Sequence, residues 1–172
     1  MILCSALPVR ELFAETILRG SQHQSQTELI SLAWVLRNRA QYARYDTGNA
    51  GGDLALGEAR HLCRAMLADL GCEDVTNGSR IDGNGRIGDN GRADAGPRSQ
   101  AFQQALACVS LVCDGLVPDP THGATRAHAH DTEPEWAQHC EATALIGELL
   151  FFRGAPDASE QMPAMKACAN DR

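Results

Sequence analysis

Apolar residues recur at helical spacing in four separate stretches of the chain. Side chains three and four positions apart share one face of a helix, so each stretch can bury a continuous apolar stripe. The pattern therefore predicts four helices, over residues 9–18, from 27 to near Arg39 or Ala43, over 54–70, and over 99–115. Gly71 follows the third stretch as a predicted C-cap.

The segments between these helices are polar and rich in turn-forming residues. The residues at 73–98 are dense in Gly, Asn, Asp and Arg, which predicts a long irregular loop. Further on, the pattern predicts a turn at 118–124, a short helical turn at 134–138 and an apolar element at 143–152. We expect one mainly α domain over 1–154, α+β at most, with 73–98 as an insertion and 155–172 as a polar tail.

Composition fits one ordinary globular domain and excludes some function classes. Of the 172 residues, 44% are hydrophobic, 22% are charged and only 5% are aromatic, which favours helices packed through small side chains. The formal net charge of −7 argues against a general nucleic-acid binder, which needs a basic face. No apolar run approaches the length of a membrane span, so we expect no membrane insertion. The sequence does not indicate an oligomeric state.

The start of the sequence and the cysteines bear on localisation. Residues 1–8 carry no basic n-region and are too short for a signal peptide, so we expect a cytoplasmic pool or phage-type release toward the cell wall. The seven cysteines form no C-x-x-C pair, and Cys63, Cys108 and Cys113 lie on apolar stretches as predicted buried thiols. A reducing compartment is the simpler interpretation, although a disulfide between some pair stays open.

Two blocks of sequence carry a resemblance to a known family. The first is AETILRGSQHQSQTELISLAWVLRNRA, at 14–40, which closes in Val-Leu-Arg-Asn-Arg. The second, at 115–153, contains Asp-Pro-Thr-His-Gly-Ala-Thr, then Pro-Glu-Trp, and closes in Ile-Gly-Glu-Leu-Leu-Phe-Phe. In this order they resemble the bacterial cell wall hydrolases typified by the spore-cortex-lytic enzyme SleB.

The resemblance implies a compact fold like that of lysozyme or the lytic transglycosylases. It implies a peptidoglycan glycosidase, a lytic transglycosylase or muramidase, that cuts the bond between N-acetylmuramic acid and N-acetylglucosamine in glycan strands. One partly buried glutamic acid would protonate the glycosidic oxygen and then act as a base. No cofactor or metal is implied.

The position of the catalytic acid is ambiguous in the first block. A gapless match puts Gly20 where the family has its glutamate, whereas a short insertion after the first helix puts Glu15 there. We take Glu15 as the predicted catalytic residue, and a solvated carboxylate as its structural alternative. Glu28, at the start of the second helix, is interpreted as a residue that complements the helix dipole.

Three further residues are predicted to contact substrate by the same resemblance. Asn38 closes the buried helix, where bracing of the site is an alternative role. Thr125 and His128 lie in an extended segment that would line the sugar groove. Arg126 and Ala127 stand where the family has a His and an aromatic residue, and Leu149 replaces another common His.

Two hypotheses compete with an active glycosidase. The departures at the predicted active region favour a degenerate relative, a non-catalytic wall-binding or structural module that presents Gly20 there. A zinc hydrolase built on His122, His128 and His130 would require their nitrogens to converge. A calcium loop could begin at Asp82, but the residues at its ligand positions do not fit the pattern of such loops.

Overall fold

Four α-helices form most of the described part of the chain. The computed structural model describes residues 6–21, 23, 25–46, 53–72 and 99–154. The helices are α1 (Leu7–Gly20), α2 (Gln26–Asp46), α3 (Leu56–Asp69) and α4 (Gln100–Cys113). All four predicted helices are present, and α2 runs further than its apolar pattern indicated.

Local signals explain where several helices begin and end. The Ser99 hydroxyl accepts a hydrogen bond from the Phe102 amide and caps α4. Gly71 and Gly115 adopt positive φ just after α3 and α4. The amide of Leu116 then bonds back to the Leu111 carbonyl, which is the closure expected of a glycine-terminated helix.

The helices enclose one hydrophobic core. α1 packs against the other three helices, and α2 also packs against α3 and α4. As the low aromatic content predicted, aliphatic residues, Ala and Cys fill most of this core. The largest of its fully buried apolar side chains are Phe13, Ile17, Leu29, Leu32, Leu36, Met66, Leu149 and Phe151.

A small antiparallel sheet closes one side of the helices. Its strands are β1 (Arg126–Ala129), β2 (Glu141–Ile146) and β3 (Leu149–Arg153), in the order β1-β3-β2. A register shift between Ala142 and Ala144 interrupts the β2–β3 ladder. A 3-10 helix at Glu135–His139 precedes β2, and β1 packs against α2 and α3.

This architecture confirms a mainly α fold with a small β component. The predicted apolar element at 143–152 is a β-hairpin, because Gly147 turns the chain with a φ of 61°. The predicted loop at 73–98, with Asp82, and the predicted tail at 155–172 lie outside the described residues. Within the described ranges, every helix is too short or too polar to cross a bilayer.

Candidate functional site

Glu15, the predicted catalytic acid, lies on the exposed face of α1. It lines a groove between α1 and α3 together with Arg19, Arg60 and Arg64. None of the other three predicted site residues lines this groove, and among the described residues no hydrogen bond or ion pair joins Glu15 to them. The structure therefore does not assemble the predicted constellation around Glu15.

Gly20, the alternative position for the family acid, is buried at the end of α1 in apolar surroundings. A β carbon at Gly20 would lie 2.6 Å from Leu70 Cδ1 and 3.7 Å from Leu32 Cδ1. Met66 lies almost as close. The space that a glutamate would need at this position is thus filled by core side chains.

Asn38 braces the turn that precedes β1. Its side-chain amide donates to Asp119 Oδ2 at 3.1 Å and to the Ala124 carbonyl at 3.0 Å. Asp119 also accepts from Thr121 and from the Gly123 amide. Burial alone would raise the pKa of Asp119, but these hydrogen bonds outweigh it and hold that pKa below its ordinary value.

Thr125 and His128 are both buried rather than open to a groove. The Thr125 hydroxyl donates to the Gly154 carbonyl at 2.6 Å. The His128 ring stacks on Phe152 with 5.0 Å between ring centroids and meets the edge of Trp136 at 5.4 Å. Because these side chains are only 4% and 3% exposed, they pack the sheet and offer no surface to a sugar ring.

A buried ion-pair cluster joins the sheet to the helices. Asp69, at the end of α3, pairs with Arg39 of α2 and with Arg126 of β1. Arg39 also donates to the Thr125 carbonyl, and Arg126 stacks on Trp136 at 4.1 Å from the ring centroid. The pair Asn38 and Arg39 therefore fixes the start of β1, which agrees with a bracing role for both.

A second buried carboxylate, Glu28, lies where α1 passes into α2. Ser25 begins α2, and its hydroxyl accepts from the Glu28 amide at 3.2 Å, so Glu28 occupies the third position of a capping sequence. The Glu28 carboxylate turns back toward the end of α1. There Oε2 accepts from the Ser21 hydroxyl at 2.8 Å and from the His23 amide at 3.2 Å.

His23 connects this buried carboxylate to an exposed one. Its Nδ1 lies 3.6 Å from Glu28 Oε1, and its Nε2 lies 4.0 Å from Glu148 Oε2. Glu28 is 2% exposed, whereas His23 and Glu148 are 59% and 49% exposed. One imidazole thus lies at ion-pair distance from two carboxylates, one shielded from solvent and one accessible.

The turn between β2 and β3 holds Glu148 in place. The His130 amide donates to the Glu148 carbonyl at 2.8 Å, which ties the turn to the end of β1. Gly147 lies directly against Glu28, since a β carbon there would be 2.7 Å from Glu28 Oε1. The hairpin is therefore fixed against the α1–α2 connection. This packing brings the Glu148 turn to the buried Glu28, although the two glutamates are 120 positions apart in sequence.

At 3.6 Å and 4.0 Å both contacts of the His23 ring are longer than hydrogen bonds, so the arrangement is an electrostatic cluster of groups that can exchange protons. Imidazole and carboxylate are the side chains most used for general acid–base catalysis, and a buried carboxylate commonly orients an exposed histidine. Sequence reasoning treated Glu28 only as a residue at a helix start and did not single out His23 or Glu148. The capping sequence from Ser25 to Glu28 was the one available signal, because contact with Glu148 depends on tertiary packing.

The histidines proposed as zinc ligands do not converge. His128 is buried, while His122 and His130 are exposed. Nowhere in the described ranges do three or more His, Cys, Asp or Glu side chains form a group that could hold a metal ion. Among the described residues, the buried Cys63, Cys108 and Cys113 and the half-buried Cys72 and Cys140 are not joined in disulfides.

Comparisons with protein-family models, with curated proteins and with solved structures found no match to this chain.

Proposed function

We propose that this domain is a peptidoglycan-degrading glycosidase whose acid/base centre is the cluster of Glu148, His23 and Glu28. The substrate is the glycan strand, cut between N-acetylmuramic acid and N-acetylglucosamine. The resemblance of the two sequence blocks to SleB-type cell wall hydrolases supports the substrate class. The meeting of two carboxylates and an imidazole at the end of α1 supports the chemistry.

Glu148 is the residue that contacts the sugar in this proposal. It is half exposed and lies at an anchored turn, whereas Glu28 is too deeply buried to meet a glycosidic oxygen. His23 and Glu28 are positioning residues. The buried Glu28 orients the imidazole, and the imidazole stabilises the charge that forms on Glu148.

The proposed reaction uses a single exchanged proton. Protonated Glu148 donates to the glycosidic oxygen while the bond from that oxygen to the anomeric carbon of muramic acid breaks. The resulting carboxylate then takes a proton from the 6-hydroxyl of the same muramic acid, which closes an anhydro ring, or from water. The first route is that of a lytic transglycosylase and the second that of a muramidase.

In this mechanism the catalytic acid is Glu148 and not Glu15. The reason is that Glu15 lies beside three arginines on the α1–α3 face, apart from the β2–β3 turn. Glu148 instead lies 4.0 Å from His23, which follows the end of α1 by three residues, and the resemblance expects a catalytic carboxyl near that end. The observation that carries the proposal is the His23 imidazole between Glu28 and Glu148.

Digestion of purified peptidoglycan, followed by mass spectrometry of the soluble fragments, tests the proposal. We expect fragments with anhydro-muramic or reducing ends from the wild-type protein and a loss of about 100-fold or more in Glu148→Gln. The matched control is Glu133→Gln, an exposed glutamate outside the cluster, which should cleave normally. Loss of cleavage in Glu15→Gln together with full activity in Glu148→Gln would return the acid to Glu15.

A second function is favoured by the surroundings of Gly20. Core side chains fill the position that the gapless match gives to the family acid, which is what a degenerate relative would show. In that case the domain binds glycan strands without cutting them. Sedimentation with insoluble peptidoglycan and no soluble fragments, at any pH between 5 and 9, would select this function.

A further inference from the structure

The groove between α1 and α3 combines a neutral floor with a basic rim. Its volume is about 270 Å³, and its lining includes the side chains of Arg19, Arg60 and Arg64 against one carboxylate, that of Glu15. The chain as a whole carries a formal charge of −7. The lining thus carries two more positive than negative formal charges, whereas the chain as a whole is negatively charged.

The arginines reach the groove from both helices. Arg60 and Arg64 are one helical turn apart on α3, so their side chains emerge from the same face. Arg19 faces them from the last turn of α1. Both Arg19 and Arg60 are exposed, and none of the ion pairs among the described residues joins either guanidinium group to a carboxylate.

The floor of the groove carries no competing charge. Cys63 is buried there, and desolvation raises the pKa of its thiol to about 11, so the sulfur stays protonated at neutral pH. Leu12 and Leu67 add apolar surface to the lining, and Thr16 adds an uncharged polar side chain. An anion in this groove meets guanidinium groups at the rim and a neutral surface beneath them.

We propose that the α1–α3 groove is a binding site for a small oxyanion, a carboxylate or phosphate group held by Arg19, Arg60 and Arg64. Guanidinium groups match both anions in charge and in fork geometry. The volume lies at the small end for ligand pockets, which suits a single anionic group and not a polymer. The site is independent of the proposed glycosidase centre.

Substitution of Glu15 should change the affinity for an anion in the direction opposite to substitution of an arginine. Its carboxylate is the one negative charge on the groove lining and opposes an anion at the same place. Removing that charge should strengthen binding, whereas removing an arginine should weaken it. A merely disordered variant would weaken binding in both cases, so opposite effects identify the site.

Nuclear magnetic resonance titration of the full chain at constant ionic strength tests the proposal, with inorganic phosphate and citrate as probes. We expect saturable shift changes at the groove, about three- to fivefold weaker binding in Arg60→Gln and a similar gain in Glu15→Gln. Arg153→Gln, an exposed arginine of β3, is the control and should bind normally. Tighter citrate binding would identify a carboxylate site and tighter phosphate binding a phosphoryl site. Unsaturable shifts, or equal losses in Arg60→Gln and Arg153→Gln, would overturn it.

Discussion

The carboxylate of Glu28 lies directly against Gly147, so close that a β carbon on that glycine would be 2.7 Å from Glu28 Oε1. Gly147 also has a φ of 61°, in the left-handed region that other residues avoid. The two residues join the start of α2 to the β2–β3 turn. The proposed acid/base role of His23 and Glu148 depends on this contact.

Gly147→Ala should lower the free energy of unfolding by about 2–4 kcal/mol, because it adds both left-handed strain and a collision with Glu28. Urea denaturation measures this loss. Gly57→Ala is the matched control, since nothing lies within 4 Å of a β carbon at that helical position, and it should be neutral or stabilising. In Glu28→Ala the collision term disappears, so a second substitution at Gly147 should cost less there. Equal costs in the two backgrounds would refute the contact.

A glutamate at Gly20, the position that the gapless match gives to the acid of the SleB-type hydrolases, should damage the protein and not activate it. Gly20→Glu places a carboxyl against Leu70 and Leu32, so the free energy of unfolding should fall by about 3 kcal/mol or more. Gly57→Glu, in the exposed first turn of α3, provides the matched control and should unfold like the wild type. A stable Gly20→Glu protein with enhanced cleavage of peptidoglycan would show that this position remains an open catalytic site.

The Asp69 cluster should matter far more to stability than the exposed pair of Arg10 and Asp114. Asp69→Ala leaves the buried guanidinium groups of Arg39 and Arg126 without their shared anion, which should cost about 3–5 kcal/mol. The Asp114→Ala control removes an ion pair with a solvent-exposed carboxylate, and its loss should be much smaller. Thermal denaturation of the two variants side by side measures the difference. Similar losses would contradict the proposed importance of burial.

Asp119 should contribute to stability in a pH-dependent way. Its pKa is lower in the folded protein than its ordinary value of 3.8. The unfolded state therefore binds the proton more readily, so the contribution is present above pH 4 and is lost as the pH falls through the folded pKa. Asp119→Asn should be less stable than wild type at pH 6, and the gap should narrow toward pH 3. A gap that stays constant over that range would exclude this linkage.

The helices could be predicted from the sequence because each buries a stripe of regularly spaced apolar residues. The turn before β1 could also be predicted, since Asp119 and Gly123 are residues that favour turns. The β2–β3 hairpin was not predicted, because its apolar residues fit a short helix or a strand equally well until Gly147 turns the chain.

The candidate site was harder to predict because its parts are distant in sequence. The family resemblance gave Glu15 a plausible catalytic place, yet the structure puts it beside the arginines of α3. Thr125 and His128 carried the family pattern but serve in packing. Conversely, Glu28 and Glu148 both lie near His23 only because the hairpin folds onto the start of α2, an arrangement that no local pattern encodes.

Parallel measurement of binding and cleavage by Glu148→Gln tests the central claim most directly. The variant and the wild type are mixed with insoluble peptidoglycan, and sedimented protein and released muropeptides are measured from the same tubes. We expect Glu148→Gln to sediment as the wild type does while releasing almost no fragments. Fragment release at the wild-type rate by Glu148→Gln would contradict the assignment of Glu148 as the acid.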